Sequence, residues 1–314
     1  MMYFFAVVGL GTLILGGELL LRGAVGLARR MDISPLVVGL TILAFGTSAP
    51  ELLVGVNAAL DNAPGITVGN ILGSNIANVW LVLGLPALLY PITGRPVGLK
   101  RNTVVLILAT AVFMASMWDG LTQRWEGIIF LVAMATYLLS TYRLAQKDKA
   151  LADEINDEVS ETAKTSYPVG IAQVIAGCIA LALGAEWLVD GATDMARAIG
   201  VSEVVIGVTM VALGTSLPEL ITLVTAALRR QTDLALGGVI GSNIFNILLI
   251  MGMTSVIVPV PVTAEVIERD MWIMLFASLC ILPFVWIKLP MGRGTGLVFI
   301  MLYLSFISGQ FFIM

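Results

Sequence analysis

The chain has no histidine and little charge, and both shortages restrict its function. Without His there is no Ser-His-Asp catalysis, no imidazole metal site and no histidine proton relay. The two cysteines, Cys178 and Cys280, stand in apolar runs without CxxC spacing, which favours a structural role. Of the 314 residues, 12% are charged and 58% are hydrophobic, and the mean hydropathy is +0.98. This composition excludes a soluble globular protein.

A chain of this length and composition has room for about ten membrane-spanning helices of roughly 20 residues each. The N-terminus lacks the positively charged start of a signal peptide, so we expect it to form the first span. The only sizeable polar segment, rich in Asp, Glu, Lys and Ala, follows the fifth predicted span. The predicted spans lie near residues 3–28, 35–60, 66–90, 103–118, 124–143, 169–190, 203–228, 234–258, 271–289 and 296–314.

An internal repeat relates the two halves of the chain. The motif Gly-Thr-Ser-x-Pro-Glu begins at Gly46 and recurs at Gly214, and Gly-Ser-Asn-x-x-Asn begins at Gly73 and recurs at Gly241. The offset is the same for both motifs, and without gaps residues 34–84 match residues 202–252 at 23 of 51 positions. Most matches are Gly, Pro, Thr, Ser, Asn or Glu, and the polar ones among them are costly on a lipid-facing helix. The repeat therefore has a polar centre.

The distribution of Lys and Arg predicts the orientation of the chain. If the loops after odd-numbered spans face the cytoplasm, they contain 13 basic residues, against three in the opposite loops: Arg124, Arg197 and Arg269. Both termini should then lie outside, in a plasma or bacterial inner membrane. Because five spans separate repeat mates, the two halves must be inverted. Inverted repeats with helices interrupted at the midplane are typical of secondary transporters.

We therefore predict an all-α membrane protein of ten transmembrane helices in two inverted five-helix repeats with interrupted core helices. The first repeat covers residues 1–145, a cytoplasmic linker covers 146–168, and the second repeat covers 169–314. We expect a monomer in the lipid bilayer, with no nucleic-acid partner and no resident cofactor. An enzyme is disfavoured because the sequence shows no nucleophile–base pair and no metal-ligand set.

The repeated motifs predict a cation site. Pro50 should kink span 2 near Gly46 and free carbonyls between Ala44 and Thr47, which must then find a partner or line a cavity. An all-oxygen set suits Ca²⁺, Na⁺ or Mg²⁺ over zinc or copper, and two carboxylates would balance one Ca²⁺. The side chains expected to converge are Thr47, Ser48, Glu51, Ser74 and Asn78 and their repeat mates Thr215, Ser216, Glu219, Ser242 and Asn246.

These motifs resemble the alpha repeats of the sodium/calcium exchanger family, in the cation/calcium antiporter superfamily, and the chain is similar to its prokaryotic members. The resemblance implies that Glu51 and Glu219 bind Ca²⁺ and share in Na⁺ binding, and that spans 1 and 6 slide as a gating pair. It also implies that Thr47 and Thr215 act mainly through carbonyls, that Ser48, Ser74, Ser216 and Ser242 complete Na⁺ sites, that Asn78 and Asn246 lie near the centre, and that the carbonyls of Ala44 and Ala212 take part.

Two positions depart from that pattern. Some microbial members and the potassium-dependent branch carry Asp where this chain has Asn246. Across the repeat, Asn70 is matched by Gly238.

Simpler interpretations remain open for several residues. The motif glycines also suit close helix packing, and the two prolines could be structural kinks. Asn75 and Asn243 are expected to make interhelical hydrogen bonds, and Glu18 and Arg22, four residues apart, a local ion pair.

The function predicted from the sequence is an antiporter that exports Ca²⁺ against entering Na⁺ by alternating access. Two alternatives are a proton-coupled Ca²⁺ antiporter and, from a different class, a cation channel.

Overall fold

The computed structural model describes residues 2–31, 35–61, 63, 65–92, 98–147, 166–198 and 212–311. Most of them are helical. In chain order the α-helices are α1 (Met2–Met31), α2 (Pro35–Val38), α3 (Ala44–Thr47), α4 (Ala49–Leu60), α5 (Gly65–Ala77), α6 (Gly84–Leu89), α7 (Leu99–Ser116), α8 (Arg124–Lys147), α9 (Tyr167–Ala198), α10 (Ala212–Leu228), α11 (Thr232–Phe245), α12 (Met251–Ile257), α13 (Met271–Leu279), α14 (Leu282–Trp286) and α15 (Arg293–Phe311).

Shorter elements interrupt or join these helices. Within the described ranges, the π-helical turns are π1 (Gly39–Leu43), π2 (Asn78–Val82), π3 (Asn246–Ile250) and π4 (Val266–Asp270). Two strands of two residues each, β1 (Leu121–Thr122) and β2 (Val260–Pro261), pair antiparallel.

Seven helical segments are long and apolar enough to cross a membrane, or eight if the bent pair Gly39–Thr47 and Ala49–Leu60 is one span. Two shorter apolar helices, Gly214–Leu228 and Arg293–Gly309, complete the set found among the described residues. Each predicted span overlaps one of these segments, and the chain is a mostly helical, multi-pass membrane protein. The count of ten spans stays a prediction, and most of the predicted linker and residues 203–211 of predicted span 7 lie outside the described residues.

The two copies of the first motif fold differently around their prolines. Ser48 separates α3 from α4, and Pro50 lies in the first turn of α4. The helix axis bends by 52° at this break. This agrees with the predicted kink, displaced two residues from Gly46. Pro218 lies inside the continuous helix α10, so the described part of the second copy has no matching break. Proline removes one helical hydrogen bond, and the surrounding packing decides whether the helix also ends there.

The second motif leads into a π-helical turn in both halves. Asn78 begins π2 and its repeat mate Asn246 begins π3, and both segments are five residues long. A π turn widens the helix by one residue and is frequent at functional sites. Since the two turns begin at equivalent positions, the repeat in the sequence has a counterpart in the backbone.

The long helices α1 and α9 pack with their backbones in close contact. The glycines on the contact are spaced by seven residues in both helices: Gly9, Gly16 and Gly23 in α1, and Gly170, Gly177 and Gly184 in α9. A Cβ atom at Gly177 would lie 2.5 Å from the backbone nitrogen of Leu20, and one at Gly16 would lie 2.8 Å from that of Leu181. Only glycine allows the two helices to approach this closely.

The main core lies between the two halves. It contains Ile76 of α5 and its repeat mate Ile244 of α11, both fully buried. Large apolar side chains on the outer faces of α1, α8, α9 and α15 are exposed, as expected for surfaces that contact lipid. The helices that carry the second motif, α5 and α11, are thus largely enclosed, whereas α3 and α4 also have exposed side chains such as Phe45 and Leu53.

Two short backbone pairings join the loops. Ile92 pairs with Met291 as an isolated antiparallel bridge, and Thr122 of β1 pairs with Val260 of β2. Ile92 and Val260 are repeat mates. Met291 lies one position beyond the repeat mate of Thr122. The two pairings are therefore equivalent under the repeat.

Candidate ion-binding site

Two glutamates lie in the interior of the molecule, one from each repeat. Glu51 is in the first turn of α4, directly after Pro50, and Glu219 follows Pro218 in α10. Glu51 is 1% exposed and Glu219 is 0% exposed. The ion pairs found among the described residues all involve other side chains, Glu18 among them. An uncompensated charge at bilayer depth costs about 3 kcal/mol or more.

The hydroxyls of the first motif reach across to the second repeat. The Ser48 hydroxyl donates a hydrogen bond to Oε1 of Glu219 at 3.0 Å, and Thr47 Oγ1 lies 3.4 Å from Oγ of Ser242. Thr47 also donates to the carbonyl of Leu43 at 3.0 Å, within its own helix. The structure therefore brings residues that are far apart in the sequence into one cluster.

The asparagines of the second motifs form a chain of hydrogen bonds between the repeats. Asn78 Nδ2 donates to Asn243 Oδ1 at 2.9 Å, and Asn243 Nδ2 donates to the Asn75 carbonyl at 3.2 Å. Asn75 Nδ2 donates to Ile71 in its own helix. The expected interhelical role is thus confirmed for Asn243, whereas the Asn75 side chain bonds locally.

Several buried side-chain oxygens of the repeated motifs have no hydrogen-bond partner within the described part of the chain. They are both carboxylate oxygens of Glu51, Oε2 of Glu219, Oδ1 of Asn78, Oδ1 of Asn75, Oγ of Ser216 and Oδ1 of Asn246. Buried polar atoms are almost always paired, because desolvation without a partner costs about 1–3 kcal/mol each. So many unpaired oxygens on the two motif pairs call for a ligand that accepts lone pairs.

A hard cation meets that requirement. Carboxylate, amide and hydroxyl oxygens are ligands that Ca²⁺ takes at roughly 2.3–2.6 Å, which separates adjacent ligands in octahedral geometry by roughly 3.3–3.7 Å. The Thr47–Ser242 separation of 3.4 Å falls in that range and is long for a hydroxyl–hydroxyl hydrogen bond. Among the described residues, no three His, Cys, Asp or Glu side chains lie close enough together to hold a metal ion. A cluster of the zinc type is therefore not found there.

The carbonyls of Ala44 and Ala212 were the predicted backbone ligands, and the structure supports them less well than the side chains. Ala44 is fully buried, but its carbonyl accepts the Ser48 N–H at 3.0 Å, so the break at Ser48 does not free it as expected. The reason is that the helix persists to Thr47 before the chain bends. The second lone pair of this carbonyl oxygen faces the Thr47 hydroxyl, whose Oγ1 lies 3.4 Å away. Ala212 is the first residue of α10, and its side chain lies outside the described part of the chain.

Two sets of contacts were not predicted from the sequence, one beside this cluster and one farther out. Asn70 contacts Glu51, Ser74 and Thr215, and the signal for it was the mismatch with Gly238. Farther out, Glu18 accepts hydrogen bonds from Arg22, as predicted, and also from Arg229, with Arg229 Nε at 2.9 Å from Oε2. The contact between Glu18 and Arg229 could not be predicted from the sequence, because the two residues are far apart in the chain.

A multi-pass helical protein with a buried oxygen cluster shared between two repeats belongs to the class of membrane cation transporters. A model of the family described as "Sodium/calcium exchanger protein" matches residues 1–143 and 169–312. The chain therefore belongs to the sodium/calcium exchanger family.

Similar proteins span nearly the whole chain. The sodium/calcium exchanger MaX1 of Methanosarcina acetivorans is 30% identical over 97% of this chain and 97% of its own length. The putative antiporter CaxA of Alkalimonas amylolytica is 38% identical over 88% of each chain. A solved structure of the sodium-calcium exchanger NCX_Mj, soaked with zero Na⁺ and Ca²⁺, is similar with a TM-score of 0.84, 33% identity and 98% coverage of both chains.

Proposed function

We propose that this protein exchanges Ca²⁺ for Na⁺ across the membrane by alternating access. The observation that carries the proposal is the pair of buried glutamates, Glu51 and Glu219, with three of their four oxygens unpartnered among the described residues. Two carboxylates neutralise one Ca²⁺, and the hydroxyls and amides around them supply the neutral ligands. The names of MaX1 and NCX_Mj support the same pair of ions.

The proposed ion ligands are the residues of the two motif pairs. Glu51 and Glu219 carry the charge, and Ser48, Ser216 and Asn246 supply neutral oxygens from both halves. The full set comprises Ala44, Thr47, Ser48, Glu51, Ser74, Asn78, Ala212, Thr215, Ser216, Glu219, Ser242 and Asn246.

The orientation belongs to the same proposal. Both termini are outside, the two halves are inverted, and the linker at 146–168 is cytoplasmic. The equivalence of the two loop pairings supports this arrangement: Ile92 and Met291 follow odd-numbered predicted spans, whereas Thr122 and Val260 follow even-numbered ones. Each pairing thus joins loops that the proposal assigns to the same side.

Ca²⁺ flux in proteoliposomes tests the function directly. We expect Ca²⁺ uptake that saturates and requires Na⁺ on the opposite side. Uptake driven equally well by a proton gradient without Na⁺ would support the proton-coupled alternative. Uptake that needs no counter-ion on the far side would support the channel.

Substitution of either glutamate tests the assignment of the site. Glu51→Gln or Glu219→Gln should abolish exchange, because a divalent ion in a low-dielectric site then lacks half of its compensating charge. The matched control is Glu186→Gln on α9, an exposed carboxylate that should leave exchange unchanged. Retention of the wild-type elution profile would show that the variants are folded. Near-normal uptake by either variant would refute the assignment.

A further inference from the structure

One polar residue makes the two halves of the ion cluster unequal. The side chains proposed as ligands are identical in the two repeats, but Asn70 of α5 is matched by Gly238 of α11. Asn70 is partly buried and lies one helical turn before Ser74. Its position next to residues of both repeats calls for an explanation of what its amide does.

The contacts of Asn70 determine how its amide is oriented. Nδ2 lies 3.4 Å from the carbonyl oxygen of Glu51, which accepts hydrogen bonds and cannot donate them. The amide nitrogen therefore belongs on that side, and Oδ1 is directed to the two hydroxyls. Thr215 Oγ1 lies 3.4 Å and Ser74 Oγ 3.5 Å from Asn70 Oδ1; both separations are long for hydrogen bonds, and since an amide oxygen only accepts, the hydroxyls are the donors.

The position of a hydroxyl proton decides whether that hydroxyl can bind a cation. A serine or threonine coordinates a cation through a lone pair, so its single proton has to be donated elsewhere. Asn70 Oδ1 is an acceptor for the protons of both Ser74 and Thr215. In the mirror half, Thr47 donates to the Leu43 carbonyl instead, Ser242 contacts Thr47, and Gly238 provides no side-chain acceptor.

We propose that Asn70 is a positioning residue for Na⁺ binding. Its amide oxygen accepts hydrogen bonds from the Ser74 and Thr215 hydroxyls. The lone pairs of these hydroxyls are then directed to a cation on one side of the cluster. The inference rests on the proposed function, which includes Ser74 and Thr215 among the ion ligands, and it adds the Thr215 hydroxyl to the carbonyl that the family resemblance implies. Na⁺ should depend on this arrangement more than Ca²⁺, because a divalent ion takes more of its binding energy from the two carboxylates.

Asn70→Leu removes the acceptor while keeping a side chain of similar size. We expect the Na⁺ concentration that half-maximally stabilises the purified protein against thermal unfolding to rise about tenfold, the lower end of the effect of removing a partner that orients a metal ligand. The corresponding Ca²⁺ concentration should change less than about threefold. Choline chloride keeps the ionic strength constant, and the assay measures binding without transport.

Two further variants separate orientation from packing. Asn70→Gln keeps a neutral amide with an acceptor oxygen and a donor nitrogen, and it should retain more Na⁺ binding than Asn70→Leu. Gly238→Ala alters the mirror position, where a Cβ would lie 3.1 Å from Leu223 Cδ1 and can be accommodated by that side chain, and should leave Na⁺ binding unchanged.

Three outcomes would overturn the inference. They are an unchanged Na⁺ dependence in Asn70→Leu, equal shifts for Na⁺ and Ca²⁺, and an Asn70→Gln variant as impaired as Asn70→Leu. Absence of Na⁺-driven Ca²⁺ flux in the wild type would instead refute the proposed function, and the binding measurement would still decide the role of Asn70.

Discussion

At the residue scale, the charge at the centre of the molecule comes from two side chains. Glu51 and Glu219 are the buried carboxylates among the described residues, and Asn78 and Asn246 occupy equivalent buried positions in the two repeats. Both oxygen and nitrogen of the Asn246 amide lack a partner within the described ranges. Under the proposed function, one Ca²⁺ would neutralise these two carboxylates without a further monovalent cation.

This charge count predicts that Ca²⁺ transport does not require K⁺. Na⁺-driven Ca²⁺ uptake should continue when K⁺ is replaced by choline on both sides of the proteoliposome membrane. If wild-type uptake collapses without K⁺, the charge count is wrong.

Asn246→Asp would add a third carboxylate to the cluster. Three like charges at close range cannot all stay ionised without compensation, so one of them should take a proton or recruit another cation. We expect exchange by this variant to depend more steeply on pH, on K⁺ or on both. Ca²⁺ uptake measured across a pH series, with and without K⁺, checks this. The matched variant Asn78→Asp places the same charge in the other repeat, and wild-type profiles in both variants would contradict the argument.

At the scale of single elements, the sequence predicted some features and missed others for identifiable reasons. Identical motifs around Pro50 and Pro218 suggested two equal breaks, yet the helix ends at Ser48 only in the first copy. Proline makes a break possible, but contacts from other helices decide it. The pair Glu18–Arg22 followed from local spacing, whereas the contact with Arg229 depends on how α1 packs against α10.

The packing of α1 against α9 gives a prediction about glycine. Gly177→Ala should lower the free energy of unfolding by about 1–3 kcal/mol, because its Cβ would lie 2.5 Å from the backbone of Leu20, and a backbone atom cannot move aside cheaply. Gly11→Ala is the matched control, since nothing lies within 4 Å of its Cβ position and alanine favours the helix. Thermal unfolding in detergent measures both. Equal melting temperatures for Gly177→Ala and wild type would show that the helices separate easily.

At the scale of the whole molecule, the internal repeat carried most of what could be predicted. Composition and the constant offset between the motif copies led to a mostly helical multi-pass protein of the family that the comparisons show. The same offset relates the π turns that begin at Asn78 and Asn246. The loop pairings at Ile92 and Val260 could not be predicted, since such short pairings leave no periodic pattern in the sequence. The hydrogen bonds of the site could not be predicted either, because they depend on distances between helices that are far apart in the sequence.

The inverted arrangement makes opposite predictions for loops on the two sides of the membrane. Asp119 lies between α7 and α8, after predicted span 4, and Leu289 lies between α14 and α15, at the end of predicted span 9; both are exposed. With Cys178 and Cys280 replaced by alanine, Asp119→Cys should react with a membrane-impermeant maleimide added to intact cells. Leu289→Cys should react only after the membrane is opened, because the excess of Lys and Arg assigns its loop to the cytoplasm. Ca²⁺ uptake by both variants would show that the labelled protein is the functional one. Labelling of both positions from the same side would contradict the inverted repeat, and with it the symmetry on which the two-glutamate site depends.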